Sequence, residues 1–443
     1  MMNSPANMFG NRRKQGRSLH LVLLLPFLLL NTYPVKAQAP DTVAGIPVNY
    51  DEDKVGKYQL PDPLLLANGE KVDNADTWYE QRRPELLELF KEFQFGRAPE
   101  PPADLKYNVF DKGTVTHDGT AVRKQVTVYF SSEENEPSME LLIYLPAEAT
   151  APVPILFTPS FLANSTRVND PGVKRGHIWN REQERVPAPE KSNFGELDVQ
   201  QFISRGIGIA TVYYGDIEPD FEGGYQHGVR GLYREQGQNQ RRPDEWGAIS
   251  AWAWGLSRAM DYFETDRDID AARVALMGIS RLGKTVLWAA ARDQRFAAVI
   301  ASCSGEGGAA LSRRNYGETV AHLTAPSRYP YQFAPNYQVF AEHVNQLPVD
   351  GNLLLSLIAP RPLLLQTGNE DLWSDPRGEF LAAADAARVY RLLGEQGLGT
   401  DQWPSAGNPV FGTISYFMHE GGHGTLPTDW EIFLKFLEKH LVN

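Results

Sequence analysis

One serine in this sequence lies where a strand is predicted to turn into a helix, with basic residues beside it. The segment VALMGISRLGKT contains Ser280, followed by Arg281 and, one helical turn later, Lys284. A serine hydroxyl attacks an ester only when a turn exposes it, a base takes its proton and donors receive the oxyanion. Gly278 and Gly283 leave room for such a turn, so Ser280 is a candidate nucleophile.

The same segment also satisfies the phosphate-binding pattern G-x-x-x-x-G-K-[ST], which predicts a nucleotide site instead of a nucleophile. It departs from the usual nucleophile elbow, G-x-S-x-G, because Leu282 stands in place of the second glycine. On this segment alone, both hypotheses stay open.

The N-terminus favours export from the cell. Basic residues at positions 12–17 precede an apolar run from Leu19 to Leu30, and V-K-A precedes Gln38, which is typical of a signal peptide. The run is short for a membrane span, although an uncleaved N-terminal anchor is the alternative. We expect residues 1–37 to be a signal peptide and the mature protein to be secreted or periplasmic. Export away from cytoplasmic nucleotides counts against the phosphate-binding hypothesis.

The composition is that of a globular chain, with 42% hydrophobic residues, 22% charged residues and a formal net charge of -12. The negative charge argues against nucleic-acid binding and against adhesion to anionic membranes. Cys303 is the only cysteine, so an intrachain disulfide is impossible and stability must come from packing.

Short apolar runs alternate with helical patterns in the second half of the chain, which predicts an α/β fold with a mostly parallel sheet and helices on both faces. Six runs carry this prediction: residues 155–157, 207–212, 274–277, 298–301, 362–366 and 414–418. Two earlier strands are predicted at 125–130 and 140–145, and helices at 77–93, 246–262 and 430–441.

The rest of the chain is less regular. Residues 38 to about 75 read as an extended lead-in, and we expect residues 38–443 to form a single domain. Two intervals, about 163–200 and 216–244, lack apolar periodicity and could wall a substrate cleft.

An α/β-hydrolase needs an acid and then a histidine after the nucleophile, each just past a later strand. Asp371 follows the run at 362–366, and His423 follows the run at 414–418. His423 would take the proton of Ser280 and Asp371 would orient the imidazole, with Glu370 as a competing acid.

The sequence from His419 to His423 also matches the zinc motif H-E-x-x-H, which requires a helix. Here it follows a strand-like run and contains two adjacent glycines, which disfavour a helix. We therefore expect a structural role for His419.

These residues together resemble the glucuronoyl esterases of bacterial type, which are α/β-hydrolases acting on hemicellulose. The family's nucleophile motif, G-x-S-R-x-G-K, is matched from Gly278 to Lys284, and the missing glycine of the elbow is typical of the family. Further similarity lies in SGEGGAA at 304–310, LIAPRP at 357–362, DLWSDP at 371–376 and GH at 422–423.

The resemblance implies residue roles where positions match. Ser280 would be the nucleophile, His423 the base and Arg281 an oxyanion-stabilising side chain. The glucuronate sugar would be bound by Lys284, Glu318 and Trp373. The implied reaction cleaves the ester between glucuronic acid on xylan and an alcohol of lignin.

One position departs from the family pattern. Many members carry the triad acid as a glutamate in E-S-G, and Cys303 occupies that place here. A thiol cannot hold an imidazolium as a carboxylate does, so we expect Asp371 to serve instead. Glu306 is a possible alternative acid if its loop bends toward His423.

We expect an esterase that works as a monomer without a cofactor or a metal ion, acting on glucuronoxylan or lignin-carbohydrate esters. Acetyl xylan esterase is the neighbouring alternative among enzymes. A non-catalytic protein that binds acidic xylan is the alternative from another class.

Overall fold

The computed structural model describes residues 40–102, 105–131, 137–192, 195–234, 237–238 and 240–442. From Pro40 onward the chain forms one compact unit. The predicted signal peptide, residues 1–37, lies outside the described residues. None of the helices in the described ranges is long and apolar enough to cross a membrane.

A nine-stranded sheet forms the centre of the molecule. Its strands are β1 (Lys106–Thr116), β2 (Ala121–Tyr129), β3 (Ser138–Pro146), β4 (Val153–Ser160), β5 (Gly208–Tyr213), β6 (Ile269–Ile279), β7 (Ala298–Ser302), β8 (Leu363–Gly368) and β9 (Ile414–His419). They lie in the order β9-β8-β7-β6-β4-β5-β3-β2-β1. Strands β4 to β9 pair in parallel, whereas β1, β2 and β3 pair antiparallel at one edge.

Five longer helices pack around this sheet: α1 (Arg83–Phe93), α2 (Ala248–Phe263), α3 (Arg281–Arg292), α4 (Pro376–Leu392) and α5 (Pro427–Leu437). Shorter helices and turns complete the described chain: Glu52–Lys54, Ala75–Thr77, Trp78–Arg82, His117–Gly119, Asn164–Arg167, Gln200–Ile203, Tyr214–Ile217, Gly224–His227, Val229–Leu232, Val320–Thr324, Pro330–Gln332, Pro335–Gln338, Val344–Gln346, Gly351–Ser356, Leu372–Ser374 and Glu438–Val442. Two small ladders join Thr42–Val43 to Ile46–Pro47 and His177–Trp179 to Arg185–Pro187.

Alternating residues of the central strands enter two separate cores. Leu276 of β6 belongs to a cluster that also contains Trp252 and Trp288 of α2 and α3. Its neighbour Met277 belongs to a second cluster with Phe433 of α5. Because successive side chains of a strand point to opposite faces, both faces of the sheet are covered. The predicted fold class, an α/β-hydrolase with helices on both faces, is confirmed.

The predictions of individual elements differ from the structure in three places. Strand β1 and helix α4 were not predicted. The lead-in, predicted to be extended, contains the small ladder at residues 42–47. It packs on the rest of the domain through Asn49, which donates to the Asn315 carbonyl at 2.6 Å and accepts from the Gly317 amide at 2.8 Å. The lead-in therefore supports the loop that carries Glu318.

Candidate active site

Ser280 occupies a strained turn between β6 and α3. Its backbone has φ 59° and ψ -128°, a region that side-chain-bearing residues rarely adopt. A Cβ on Gly278 would stand 2.1 Å from the Leu282 carbonyl oxygen, so only glycine permits this close turn. The Ser280 amide donates to the Ser302 carbonyl at 2.8 Å, which fixes the turn to β7. The hydroxyl is thus presented at the carboxyl end of the sheet, as in a nucleophile elbow.

The structure brings His423 and Asp371 together at the same end of the sheet. His423 Nδ1 lies 2.7 Å from Asp371 Oδ2 and 3.3 Å from the Ser374 hydroxyl. The Asp371 side chain is 5% exposed, whereas that of His423 is 43% exposed. Burial alone would raise the pKa of Asp371, but its hydrogen bond to His423 and the charge of that ring outweigh burial, so the pKa is lowered. An ionised Asp371 can therefore orient the imidazole.

Ser280 and His423 line one pocket of about 870 Å³. Within the described part of the chain, no hydrogen bond joins the two side chains directly. Catalytic hydrogen bonds are often long or misaligned before substrate binds, so this geometry suits a serine and a base that meet around a substrate.

Arg281 is held beside Ser280 by a carboxylate from a distant loop. Its guanidinium pairs with Asp220, which also accepts from the Tyr331 hydroxyl at 2.9 Å and the Gln332 amide at 2.7 Å. The guanidinium carbon lies 4.7 Å from the centroid of the Tyr329 ring. Burial alone would lower the pKa of Arg281, but the charge and hydrogen bond of Asp220, together with Tyr214 and Tyr329, raise it overall, so Arg281 stays charged.

Two of the predicted sugar-binding residues, Glu318 and Trp373, contact each other, and the third, Lys284, lies one turn along α3 from Ser280. Glu318 accepts from Arg328 at 2.7 Å, and its amide donates to the Trp373 carbonyl at 2.8 Å. The Arg328 guanidinium lies 5.3 Å from the Trp373 ring centroid. Lys284 is buried and donates to the Ser304 carbonyl at 2.6 Å; burial lowers its pKa, although the Glu318 charge acts in the opposite direction. Charged and aromatic groups of this kind suit a polar ring with an acidic substituent.

Cys303, at the position of the family glutamate, contacts the loop that carries His423. Its sulfur accepts from the Gly424 amide at 3.4 Å and lies 3.6 Å from the Gly424 carbonyl. Ligand atoms of Cys303, Asp371 and His423 lie within 4.8 Å of one another, a spacing that could hold a metal ion. Burial raises the pKa of the Cys303 thiol, so the thiolate that a metal prefers is disfavoured.

Glu306 forms hydrogen bonds with residues other than His423. Its Oε1 atom accepts from the Ser312 and Tyr337 hydroxyls at 2.7 and 2.8 Å. Burial raises its pKa to about 8. The structure thus brings Asp371, and not Glu306, into hydrogen-bond contact with His423.

The H-E-x-x-H segment is not helical. His419 is the last residue of β9, and Gly421 follows with φ 148°. His419 Nδ1 lies 2.8 Å from Asp429 Oδ2, and its Nε2 lies 2.9 Å from the Gly422 carbonyl. The expected structural position of His419 is therefore found, and the helix that the zinc motif requires is not formed by this segment.

Sequence reasoning did not single out Asp220, Ser374, Asp429 or Arg328. Asp220 lies 61 residues from Arg281, and Arg328 and Asp429 each lie ten residues from the residue they contact. No local pattern in one sequence reveals such contacts. Ser374 could have been found, because it lies within the DLWSDP motif that follows β8.

A strained serine at a strand-to-helix turn, with a histidine-aspartate pair after later strands, defines an ester hydrolase of the α/β-hydrolase fold. The family model described as glucuronyl esterase, fungi, matches residues 182–394. The chain is 42% identical to Carbohydrate esterase MZ0003 from an unknown prokaryotic organism, over 89% of this chain and 92% of that protein.

Solved structures agree with this similarity. A glucuronoyl esterase from Solibacter usitatus has 44% identity and a TM-score of 0.84, covering 88% of this chain and 100% of that one. A promiscuous CE15 esterase from a marine bacterial metagenome has 40% identity and a TM-score of 0.81, covering 89% and 100%. The chain belongs to the glucuronoyl esterase family, and it is a carboxylic ester hydrolase of glucuronic acid esters.

Proposed function

We propose that the protein is a secreted serine esterase that cleaves esters between (4-O-methyl-)glucuronic acid on xylan and alcohols of lignin. One observation carries the mechanism: the strained Ser280 and His423, which is hydrogen-bonded to Asp371, line the same pocket. The curated relatives named 4-O-methyl-glucuronoyl methylesterase, such as that of Podospora anserina at 28% identity, support the acid half of the substrate.

In the proposed reaction, the Ser280 hydroxyl attacks the ester carbonyl while His423 takes its proton through Nε2. Asp371 accepts the Nδ1 hydrogen and stabilises the imidazolium. The new oxyanion lies beside the first turn of α3, where free backbone amides and the Arg281 guanidinium favour negative charge. The alcohol leaves with the proton of His423, and water activated by the same ring then releases the acid.

The sugar is proposed to bind over the cluster of Lys284, Glu318 and Trp373. Trp373 can present its ring to a sugar face. The ammonium of Lys284 and the carboxylate of Glu318 are suited to sugar oxygens and hydroxyls. This cluster gives the acid half of the ester a fixed position relative to Ser280.

Export is proposed from the N-terminal pattern alone. Removal of residues 1–37 would leave Gln38 as the first residue of the mature chain, which N-terminal sequencing of protein from the periplasm or culture medium checks. A chain that keeps residues 1–37 there would instead indicate an anchor.

The test of the proposal is hydrolysis of benzyl glucuronate by the wild-type protein and by Ser280→Ala and His423→Ala. Both variants should lose at least about 10⁴-fold in kcat. His343→Ala is the matched control, because His343 is exposed on a loop that does not line the pocket; it should keep full activity. Circular dichroism and melting temperature establish that the variants fold.

Turnover by folded Ser280→Ala would refute the serine mechanism. Wild-type hydrolysis of acetylated xylan at a higher kcat/KM than benzyl glucuronate would favour an acetyl xylan esterase. Binding of acidic xylo-oligosaccharides without any turnover would favour a binding protein.

A further inference from the structure

His322 is a buried histidine beside the proposed sugar site. It belongs to the short helix Val320–Thr324, which begins two residues after Glu318, and it is 1% exposed. Its ring centroid lies 5.2 Å from that of Trp373, and the two ring planes meet at 68°. His322 thus lies against one residue that is proposed to bind the sugar and close in sequence to another.

The neighbours of the His322 ring fix which nitrogen carries the hydrogen. The Thr319 amide donates to Nδ1 at 3.1 Å, and the Thr319 hydroxyl lies 2.8 Å from the same nitrogen. Nδ1 is therefore an acceptor, because a backbone amide can only donate. Nε2 lies 3.3 Å from the Ile46 carbonyl oxygen, which can only accept, so Nε2 carries the hydrogen. These contacts assign His322 the neutral form with its hydrogen on Nε2.

The two ring nitrogens stabilise the turn that carries Glu318. The contact at Nδ1 fixes Thr319, the next residue, and the Glu318 amide donates to the Trp373 carbonyl at 2.8 Å. The contact at Nε2 ties the ring to the lead-in, whose residue Asn49 also accepts from the Gly317 amide at 2.8 Å. Loss of the ring would therefore free the Glu318 turn to shift relative to Trp373.

Two charged groups act on the His322 ring, and they oppose each other. Burial lowers the pKa of His322 from its ordinary 6.5 and the Arg328 charge acts in the same direction, whereas the Ile46 carbonyl and the Glu318 charge raise it; the pKa is lowered overall. Glu318 and Arg328 also pair with each other at 2.7 Å. The ring is therefore neutral above pH 6.5. In acid, a second hydrogen on Nδ1 would face the Thr319 amide, and two donors cannot share a hydrogen bond.

We propose that His322 is a positioning residue for the acid half of the substrate: through the acceptor at Nδ1 it holds Glu318 and Trp373 in the geometry that binds glucuronate. This inference rests on the proposed function, since it concerns the same sugar site. The hydrogen bonds of the His322 ring go to Thr319 and Ile46, and within the described ranges none joins it to Ser280 or His423. Its loss should therefore weaken substrate binding more than it slows the chemical steps.

The experiment measures KM and kcat for benzyl glucuronate in the wild type, His322→Ala and His322→Asn. At about pH 7.5, where the wild-type ring is neutral, His322→Ala should raise KM about five- to tenfold, the effect of one lost hydrogen bond. The kcat should change by less than about twofold, because the interaction acts on the bound substrate throughout the reaction. His322→Asn places an amide oxygen near the position of Nδ1, where it can accept from Thr319, so its KM should stay within about threefold of the wild type.

The pH dependence separates this role from a merely structural one. The ratio of KM in His322→Ala to KM in the wild type should be largest above pH 6.5 and fall toward one in acid, because protonation removes the Nδ1 acceptor from the wild type as well. Titration of Glu318, Asp371 and His423 is common to both proteins, so it cancels in the ratio. A ratio that does not change with pH would overturn the role of Nδ1.

His440→Asn is the matched control. Burial lowers the pKa of His440 as well, and its ring packs on Phe436 with 4.8 Å between the centroids, in the C-terminal helix. This variant should keep the wild-type KM at every pH, even where its melting temperature falls.

A wild-type KM in folded His322→Ala would overturn the inference, and so would an equal rise in His322→Asn and His322→Ala. If His322→Ala does not fold, His322→Gln replaces it. Glutamine reaches the position of Nε2 and can donate to Ile46, but it leaves the Thr319 amide without its acceptor, so the same rise in KM is expected.

The two proposals fail in different ways. Absence of wild-type hydrolysis of glucuronate esters, or an unchanged KM in Glu318→Gln and Trp373→Ala, would refute the proposed function or its sugar site. A raised KM in those two variants with none in His322→Ala would refute only the positioning role of His322.

Discussion

Two histidines that lie four residues apart, His419 and His423, each form a hydrogen bond to an aspartate. The two pairs have similar geometry but differ in their exposure. His419 Nδ1 lies 2.8 Å from Asp429, and His423 Nδ1 lies 2.7 Å from Asp371. The first pair is closed: the His419 side chain is 3% exposed and its Nε2 contacts the Gly422 carbonyl. The second is open, since the His423 side chain is 43% exposed and faces the pocket.

The comparison shows that a histidine-aspartate hydrogen bond does not by itself make a base. Proton transfer requires the far ring nitrogen to reach a substrate or nucleophile. In the closed pair both ring nitrogens of His419 are engaged within the protein, so that pair stiffens the turn from His419 to Gly422. In the open pair, Asp371 engages Nδ1 of His423, and the His423 side chain lines the pocket that Ser280 also lines.

The largest effect that separates the pairs is expected for Asp371→Asn. The change removes the carboxylate that orients His423 and balances the charge of its imidazolium. The kcat on benzyl glucuronate should therefore fall about 10³ to 10⁴-fold. Asp429→Asn, the matched change in the closed pair, should cost less than about tenfold, because Asp429 contacts no reacting atom. The kcat values of the two variants on benzyl glucuronate are measured by steady-state kinetics and compared.

A substitution at Cys303 tests whether His423 needs a carboxylate beside it. Its sulfur lies within 4.8 Å of the ligand atoms of both Asp371 and His423, so a glutamate at 303 would place a second carboxylate near the imidazole. Cys303→Glu added to Asp371→Asn should recover at least about tenfold of the lost kcat. Cys303→Gln in the same background, which brings similar bulk without charge, should recover none. Equal recovery by both would mean that the carboxylate is not what restores the imidazole.

A smaller effect, on stability instead of rate, is expected for the histidines. His419→Ala leaves the fully buried Asp429 with only the Leu426 amide as a partner and should lower the free energy of unfolding by about 2–4 kcal/mol. His423→Ala should cost less, about 1–2 kcal/mol, because its ring is nearly half exposed and the buried Asp371 keeps its hydrogen bond to Ser374. Urea denaturation followed by tryptophan fluorescence compares them. A greater loss of stability in His423→Ala would reverse the roles assigned to the two pairs.

The reactive residues could be predicted from the sequence, because an α/β-hydrolase places its serine, acid and histidine in that order along the chain. Ser280, Asp371 and His423 each come directly after a strand whose apolar residues are easy to recognise, and parallel strands bring their carboxyl ends to one edge. The same logic predicted that H-E-x-x-H would not be helical. Strand centres were likewise predictable, since each central strand is apolar on both faces.

Other features depend on contacts that local patterns do not contain. Asp220 reaches Arg281 from 61 residues away, and its loop shows no periodic signal. Strand β1 lies at the sheet edge with mostly exposed or half-exposed residues, so it lacks a strong apolar alternation.

The smallest expected effect is the pH dependence of stability, where the two carboxylates should differ in sign. Burial would raise the pKa of Asp371, but its hydrogen bonds to His423 and Ser374 and the His423 charge together lower it from its ordinary 3.8. Its folded form binds fewer protons than the unfolded chain, so its contribution to stability is present above that value and is lost as the pH falls through the folded pKa. The pKa of Asp429 is raised, since burial outweighs its bonds to Leu426 and His419, so its contribution is present below 3.8 and lost as the pH rises through the folded pKa.

These signs can be read from unfolding free energies between about pH 3 and pH 6, where ordinary carboxyl groups titrate. The excess stability of the wild type over Asp371→Asn should grow as the pH rises toward 3.8 and then level off, because above that value the carboxyl is ionised in both the folded and the unfolded state. The excess over Asp429→Asn should shrink across the same interval, because the native carboxyl must give up a proton in a buried site. A common sign for both differences would show that burial and pairing act alike on the two aspartates, and that exposure of the histidine alone separates the open pair from the closed one.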